Sequence, residues 1–378
     1  MKVDQVYQIV NDTTKEVLGE SSLIATVDNG KIVDIGEQVI GSQNMDNYVR
    51  TLIDHIGRVV FVDRPYEGKT PSVIMTSDEW GAITEKIKYQ GLPEAQENDT
   101  WDLQDGQSYD PNVFTKPDVA AKFFSKMTTF ELAMSFVQRQ IKSAFSGNGQ
   151  AVAFFNMIEN AIAKSHTVKM DSLIMKTIGN FIMHASADQT GNRRVKLVTM
   201  YNTATGQTIT PAQALVNPEF IRFASMTIKR YASRMAGISA LFNSGANPRN
   251  TDAKYLHMIL HSDFTSAADA YLQSDTYHEE FTKLPKSEVV PYWQGSGTNF
   301  AWADTARVIG IPSGGQEAVE VTNILGVMFD RDALGVCNLD RRVTSNYNGK
   351  AEFTNNWYKF DCGYFNDFDE NFVVFTMD

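Results

Sequence analysis

The chain has 378 residues, of which 43% are hydrophobic and 21% charged, and its formal net charge is −11. This composition is typical of a folded globular protein and excludes a disordered chain, while no apolar stretch is long enough to span a bilayer. The acidic balance, with no run of basic residues longer than a pair, argues against specific DNA or RNA binding.

The N-terminal part is predicted to be an arm followed by a helix. Residues 1–12 carry acidic and polar groups where a signal peptide needs an apolar segment, so synthesis in a cytoplasm is expected. The first 41 residues predict a loosely structured arm with one short helix from about Tyr7 to Leu18. A clearer helix is predicted over GSQNMDNYVRTLIDHIG, where Ser42 can cap the start and Gly57 can end it. Its apolar residues recur at helical spacing: Met45, Val49, Leu52, Ile53 and Ile56.

The segment from residue 63 to about 126 differs from the rest of the chain in composition. Turn-forming residues cluster in RPYEGKTP, GLPEAQEND and DGQSYDPN, between strand-like pieces such as SVIMT and GAITEKIKY. Large side chains are sparse, so these roughly 60 residues cannot enclose a core of their own. The segment is therefore predicted to be a long projecting loop or hairpin that needs a partner surface.

The middle of the chain is predicted to be helical. TTFE at residues 128–131 matches a capping box, with Thr128 as the cap and Glu131 three positions later. The helix that it opens would carry its apolar side chains on one face: Phe130, Ala133, Val137, Ile141 and Ala144. Two further apolar stripes, over 152–162 and 170–182, are separated only by SHTVK. They predict a long helical rod in one broken piece or two consecutive pieces.

Beyond Gly191, strands and helices alternate, which predicts a mixed α/β unit of about 150 residues. RVKLVTMY, KYLHMILHSDF, SEVVPYW, ARVIGIP and ILGVMFD are strand-like, whereas NPEFIRFASMTIKRYASRMAG and TSAADAYLQS are helix-like. The first of these helices has Asn217 as its cap and Pro218 in its first turn.

The last 22 residues, WYKFDCGYFNDFDENFVVFTMD, include eight aromatic side chains. A frayed tail of this composition would aggregate, so the segment is predicted to form well-buried antiparallel strands. The acidic run DFDEN at 367–371 lacks the ligand spacing of a calcium loop and is predicted to be a solvated hairpin tip.

Catalytic motifs are absent from the sequence, which contains no GxxxxGK[ST], no GxGxxG after a strand, no GxSxG and no HExxH. His257 and His261 come nearest to a metal-binding pair, but they lie in a strand-like run with apolar residues between them, so a structural role is favoured. Cys337 and Cys362 lie 25 positions apart without a CxxC, so buried free thiols are expected. No metal, cofactor or catalytic residue is therefore predicted.

Several segments carry a resemblance to a known family: NMDNYVRTLIDHIGRVVFVDRP, TTFELAMSFVQRQI with AVAFFNMIENAI, YLHMILHSDF, ILGVMFDRDALGVCNLDRRVTSNYN and the closing strands. The chain resembles the major capsid proteins of tailed bacteriophages with the Hong Kong 97 fold, most closely those of small podoviruses of the phi 29 kind. Within it, DRDALGV is similar to the return from the peripheral domain towards the strands that complete the base. The chain stops right after its last strand, so the appended immunoglobulin-like domain of phi 29 is not expected.

The resemblance implies an α+β fold with four parts. Residues 1–57 would form an N-terminal arm and docking helix, and 58–127 an extended β-hairpin loop. Residues 128–190 with 341–378 would form a peripheral domain with a long spine helix, and 191–340 a mixed α/β axial domain. The terminal aromatic residues would then lie in the long sheet under the spine helix.

The implied function is structural, without enzymatic activity or cofactor. Copies would self-assemble as hexamers and pentamers into the icosahedral shell around the double-stranded DNA of a tailed phage, in the cytoplasm of the bacterial host. Implied partners are scaffolding protein, portal and head-fibre or decoration proteins, with weak non-specific contact to DNA and none to a membrane. Each loop would lie over a neighbouring subunit, and its predicted contact residues are Arg64, Glu67, Lys69, Trp80, Glu85, Lys86, Lys88 and Trp101.

Three alternatives accompany this interpretation. Some proteins of this fold link a loop lysine covalently to an asparagine of a neighbour, although most relatives lack the bond and none is expected here. The candidates would be Lys69, Lys86 or Lys88 with Asn355 or Asn356. An encapsulin-like compartment that encloses a cargo enzyme has the same fold. A metal-dependent hydrolase that uses His257 and His261 belongs to a different class.

Overall fold

In the computed structural model, the described residues are 3–19, 24–25, 32–41, 47–53, 55–56, 73–75, 84–89, 91–92, 119–137, 148–188, 190–272, 287–294, 306–312 and 315–378, with scattered positions from 95 to 118 and positions 141 and 143. Helices and β-sheets are mixed along them, as expected for an α+β fold. The described strands form sheets of two, three, five and two strands.

The N-terminal part is helical and packed into the core. Helix α1 spans Val3–Leu18, α2 spans Ile32–Gly41, and residues 47–53 and 55–56 are also helical. Side chains from all of them, such as Val6, Ile35 and Leu52, are fully buried in one apolar cluster. The helix expected from about Tyr7 to Leu18 is confirmed within α1. The expectation of a loose arm is wrong for the described residues, because valine and isoleucine at helical spacing give α1 a buried face. The predicted docking helix is confirmed at its described residues.

An extended β-hairpin occupies part of the segment that was predicted to be a loop. Strand β1, Thr84–Tyr89, pairs antiparallel with β2, Val119–Phe124. In SVIMT, Ile74 forms a parallel bridge with Val336. RVVFV lies outside the described residues. The hairpin confirms this part of the expected fold class.

The segment after the hairpin is a strand, β3 (Met127–Val137), and the predicted capped helix is wrong here. Phe130, Leu132, Met134 and Phe136 alternate with exposed residues, which is the period of a strand. The Thr129 hydroxyl donates a 2.5 Å hydrogen bond to Asp361 on a neighbouring strand. Pairing with that distant strand over the whole of β3 outweighs the local helix signal.

A single long helix crosses the molecule. Helix α3 spans Asn148–Ser186, 39 residues, so the predicted rod is confirmed and SHTVK does not break it. It packs on the three-stranded sheet of β10 (Leu334–Asn348), β11 (Phe353–Asn366) and β3, in the order β10-β11-β3. For example, His166 of the helix lies edge-on to Phe360, with ring centres 4.6 Å apart.

A five-stranded sheet forms the second layer of the fold. Its order is β4 (Arg194–Lys196), β12 (Phe372–Thr376), β9 (Ile324–Asp330), β5 (Leu256–His261) and β6 (Glu288–Val290). Helices α4 (Leu197–Thr205), α5 (Pro211–Ala214), α6 (Pro218–Ala236) and α7 (Ser262–Leu272) accompany it, and β7 (Val308–Gly310) pairs with β8 (Val319–Val321). One face packs on α3 through Phe372 and Val374, and the other packs on α4, α6 and α7 through Val373 and Phe375. Burial on both faces explains why these strands are continuously apolar.

The predicted elements of this second layer are mostly confirmed. The Asn217 side chain accepts hydrogen bonds from the backbone nitrogens of Glu219 and Phe220 at 3.0 and 3.1 Å, and Pro218 opens α6. RVKLVTMY is the exception, since only its first part is strand β4 and the rest is helix α4. Leu197, Val198 and Tyr201 pack at helical spacing in the apolar cluster, which decides for the helix.

The closing aromatic strands are buried, as predicted, but they divide between the two sheets. Strand β11 lies under α3 in the three-stranded sheet, whereas β12 joins the five-stranded sheet between β4 and β9. The expectation that all terminal aromatics share one sheet is therefore wrong for β12. Of the two thiols, Cys362 is buried and Cys337 half-buried, and neither forms a disulfide.

Candidate assembly interface

The two faces of the β1–β2 hairpin differ in chemistry because side chains alternate along each strand. One face carries Lys86, Lys88 and Lys122 and lies against the body of the subunit. The other is open to solvent and mainly apolar. We call its apolar residues the outward face: Ile87 (67% exposed), Phe123 (65%), Val119 (51%) and Tyr89 (43%). A strand on a protein surface ordinarily turns its apolar side inwards, so the reversed pattern makes the outward face a candidate contact surface.

An acidic turn, residues 367–370 between β11 and β12, lies beneath the hairpin. The side chain of Asp367 in this turn has no exposed surface. Three ammonium groups of the hairpin surround its carboxylate: Lys88 at 2.5 Å, Lys122 at 3.2 Å and Lys86 at 3.7 Å. Lys88 also pairs with Glu370, and Lys122 with Asp369. Positive and negative groups therefore meet in one cluster at the base of the hairpin.

The electrostatics of this cluster favour the ionised forms of Asp367 and Lys122, whereas burial acts against the charged form of Lys86. Burial by itself would raise the pKa of Asp367, but the hydrogen bond and charge of Lys88, together with Lys86 and Lys122, hold that pKa below its ordinary value. Burial lowers the pKa of Lys86, and the attraction of Asp367 opposes the effect only in part. Burial also acts to lower the pKa of Lys122, but its hydrogen bonds to Asp369 and Asp367 and the charges of these groups raise that pKa overall.

The acidic turn is anchored to the body as well as to the hairpin. The backbone nitrogen of Ser244 donates to the oxygen of Phe368 at 2.8 Å, and that of Asp367 donates to the oxygen of Ala333 at 2.6 Å. The Phe368 ring stacks on His184 of α3 with ring centres 4.1 Å apart. The prediction of a solvated hairpin tip is therefore wrong, because lysines distant in sequence cover these carboxylates.

The predicted loop contacts fall into two groups. Glu85, Lys86 and Lys88 lie in β1, whereas Arg64, Glu67, Lys69, Trp80 and Trp101 lie outside the described residues. Glu85 is exposed on the outward side of the hairpin, paired in register with Phe123. Lys86 and Lys88 contact the acidic turn of their own subunit. Their role in contacts between subunits stays a prediction.

Sequence reasoning identified the acidic run at 367–371 but missed its burial beneath the lysines, and it missed the outward face. The alternation of charged and apolar residues in TEKIKY is a visible signal that Lys86 and Lys88 share one face, whereas Lys122 joins them only through the pairing of the two strands. This alternation alone puts Lys86 and Lys88 on the opposite side of the strand from Ile87. The partner of the lysines carries no such local signal, since Asp367 lies 279 positions from Lys88.

The candidates for a covalent link between subunits have other contacts here. Lys86 and Lys88 have their ammonium groups at the acidic turn. Asn356 is fully buried, and Asn355 accepts a 2.5 Å hydrogen bond from the Ser135 hydroxyl. Lys69 lies outside the described residues. The expectation that no such link forms stays a prediction.

The two histidines of the hydrolase alternative do not converge on one site. His257 and His261 lie four positions apart on strand β5, which separates them by about 13 Å along the strand. His257 stacks on Phe329 and His261 on Trp293, with ring centres 5.9 and 6.4 Å apart. Among the described residues, no group of three or more His, Cys, Asp and Glu side chains is placed to hold a metal ion. The structural role favoured for these histidines fits this stacking.

Solved structures similar to this chain include phage capsids. The capsid structure of Staphylococcus phage Andhra matches with a TM-score of 0.50 at 10% identity, over 83% of this chain and 86% of that chain. A chain in the structure of head fiber and inner core protein gp22 of native bacteriophage P68 matches with a TM-score of 0.52 at 9% identity, over 84% and 86%. At such identities the likeness shows the fold alone. The long helix, the extended hairpin and the two sheets define a protein of the Hong Kong 97 capsid fold.

The sequence comparison narrows this class to a family. No curated protein matches the chain. The family profile described as Phi29-like phage major capsid protein matches residues 10–376, so the chain belongs to that family. It is therefore a structural protein of the phage virion and forms part of the icosahedral capsid shell, which confirms the resemblance seen in the sequence. In the described part of the chain, no helix is both long and apolar enough to cross a membrane.

Proposed function

We propose that copies of this chain assemble as hexamers and pentamers around the double-stranded DNA of a tailed phage, with each hairpin laying its outward face on a neighbouring copy. The outward face is the observation that carries this proposal. Ile87 and Phe123 are 67% and 65% exposed on a hairpin whose charged face is turned inwards. A second copy of the chain is the partner that every subunit of a shell has on each side.

The energetics of the outward face favour assembly. Covering a large apolar side chain contributes about 1.5–3 kcal/mol when burial is complete. In a closed ring each subunit gives one such contact and receives another. Obligate interfaces bury roughly 2,000–5,000 Å², and the hairpin would supply one part of that area.

The proposed division of the subunit follows the predicted ranges. Residues 1–57 would serve as N-terminal arm and docking helix, 58–127 as the extended loop, and 128–190 with 341–378 as the peripheral domain around α3. Residues 191–340 would form the axial domain, which meets its copies around the fivefold and sixfold positions. Strand β10 runs through the boundary at residues 340 and 341, so the two domains would share a continuous strand.

Further partners belong to the same proposal. Scaffolding protein, portal and head-fibre or decoration proteins would bind the shell, and the DNA inside would make weak, non-specific contact. A net charge of −11 supports weak contact, because an acidic wall repels phosphate groups. The family match favours this container over an encapsulin-like compartment. Particles that protect DNA from nuclease, and bind no cargo peptide, would distinguish the two.

The test is shell formation by variants of the outward face. We expect Ile87→Ser with Phe123→Ser to lower the yield of shells strongly, as measured by sedimentation and negative-stain microscopy. The conservative variant Ile87→Leu is the matched control and should assemble normally. Circular dichroism checks that the unassembled variant is folded. Normal shells from the folded double serine variant would contradict the proposed role of the hairpin.

A further inference from the structure

The lysine face of the hairpin needs a counterion to be stable. Lys86 and Lys122 are directly paired across β1 and β2, and like charges in that position destabilise a hairpin. Asp367 supplies the opposite charge to both strands, because one carboxylate accepts from Lys88 on β1 at 2.5 Å and from Lys122 on β2 at 3.2 Å. A fully buried carboxylate is stable only when it is paired in this way. The lysines of the hairpin therefore need the charge of Asp367, and the buried carboxylate of Asp367 needs the lysines.

Among the described residues, the contacts that orient the hairpin centre on its lysine face. Among the described strands, β1 and β2 pair only with each other, and residues 125–126 alone connect β2 to β3. Lys86 also donates to the backbone oxygen of Asp332 and lies 4.6 Å from the centre of the Phe365 ring. Arg249 donates from Nη2 to the backbone oxygen of Tyr89 at 3.3 Å. The Phe124 ring also lies against Phe365, with ring centres 5.1 Å apart. Since most of these contacts come from the lysine side chains, the ion pairs have a large part in setting the hairpin's direction.

Hydrogen bonds of the residue after the acidic turn hold that turn to the rest of the subunit. Asn371, the residue after the acidic turn, is fully buried. Its side chain contacts Asn243 at 3.2 Å and Thr251 at 3.3 Å, and its backbone oxygen accepts from the nitrogen of Asp330 at 2.9 Å. These bonds tie the turn to the five-stranded sheet, so the acids have a defined position from which to hold the hairpin.

We propose that Asp367, with Asp369 and Glu370, is a positioning latch that holds the lysine face against its own subunit and so sets the direction in which the outward face meets a second copy. Alternation links the two faces, since any rotation that releases the lysines also turns Ile87 and Phe123 away. The inference rests on the proposed function, because it explains how one subunit presents its contact surface before a neighbour arrives. Lys86 and Lys88, predicted from the sequence as contacts between subunits, would then act within the subunit.

Lysine acetylation of the unassembled chain tests the latch directly. In the native protein, Lys86 and Lys88 should react slowly with an acetylating reagent, compared with the exposed Lys350, as measured by mass spectrometry. Asp367→Asn should increase their reaction several-fold and lower the yield of shells. The matched control, Asp340→Asn, removes an exposed carboxylate that pairs with Arg342 and should change neither quantity.

Two substitutions of Lys88 cover the case in which Asp367→Asn does not fold. Lys88→Gln removes the ion pairs with Asp367 and Glu370, so it should increase the acetylation of Lys86 and reduce shell yield, whereas the matched Lys88→Arg keeps the positive charge and should change neither. Unchanged acetylation and shell yield in Lys88→Gln, or normal shells from a folded Asp367→Asn protein with accessible lysines, would overturn the latch. If the native chain forms no shells at all, the proposed function fails, while acetylation still decides whether the latch exists.

Discussion

At the residue scale, single polar side chains fix how one element leads into the next. Asp188, just after α3, accepts hydrogen bonds from the backbone nitrogens of Thr190 and Arg193 at 3.1 and 2.8 Å and from the Thr190 hydroxyl at 2.7 Å. These bonds shape the turn into β4. Burial acts to raise the pKa of Asp188, but the hydrogen bonds outweigh it and lower the pKa from 3.8 to about 2.

Asp188 therefore makes a pH-dependent contribution to stability. A carboxyl whose pKa is lower in the folded state stabilises the protein above pH 3.8, and this contribution is lost as the pH falls towards about 2. We expect Asp188→Asn to lower the melting temperature at neutral pH, and the gap to the native protein to narrow across that range. Thermal melts at a series of pH values measure it, with Asp105→Asn on an exposed turn as control. A gap of constant size at all pH values would count against this assignment.

At the element scale, α3 is one helix because its two halves are buried against different clusters. Phe155 and Ile158 pack with the N-terminal helices, and Ile178 and Phe181 pack with the five-stranded sheet. SHTVK between them has no helix-breaking residue, and its His166 is buried. The helix therefore connects the two halves of the core as a rigid rod.

A proline within SHTVK distinguishes one helix from two. Val168 is 41% exposed, so its side chain can be replaced at little cost to packing. Val168→Pro should destabilise the protein by about 3 kcal/mol or more, because proline removes a helical hydrogen bond and clashes with the preceding turn. Denaturant unfolding measures the loss, and Val168→Ala should be close to neutral. Two separate helices would instead tolerate the proline.

At the scale of the whole molecule, β12 joins the two apolar clusters that flank the five-stranded sheet. Phe372 belongs to the cluster under α3, and Phe375 to the cluster under α4, α6 and α7. Both side chains are fully buried. The C-terminal strand is therefore a central part of the fold, which accounts for the aromatic content of the last residues.

Removing a large side chain from one face of β12 should lower the stability of the whole molecule. Phe375→Ala is expected to cost about 3–5 kcal/mol, since it leaves a cavity between the sheet and its helices. Leu241→Ala removes a side chain that is 57% exposed and serves as the control. Equilibrium unfolding followed by two probes, far-ultraviolet circular dichroism and tryptophan fluorescence, measures the change. Equal stabilities of the two variants would show that β12 is not central.

Sequence reasoning succeeded where the signal is local. The Asn217 cap and Pro218 placed the start of α6, and apolar runs placed β5 and β9. It failed for β3, because the capping-box pattern at Thr128 is local while the competing strand partner is not. Thr129 donates a hydrogen bond to Asp361, 232 positions away, and no local sequence pattern indicates that pairing.

The features of the candidate interface also divide into those that local sequence predicts and those that depend on distant segments. The sequence by itself determined the family, the mixed α+β class, the presence of an extended hairpin and the alternation that puts Lys86 and Lys88 on one face of it. Only the tertiary structure decided which face points outwards, since the acidic turn that attracts the lysines comes from the other end of the chain. Periodicity and caps depend on neighbouring residues, whereas the burial of Asp367 and the direction of the hairpin depend on which distant segments meet.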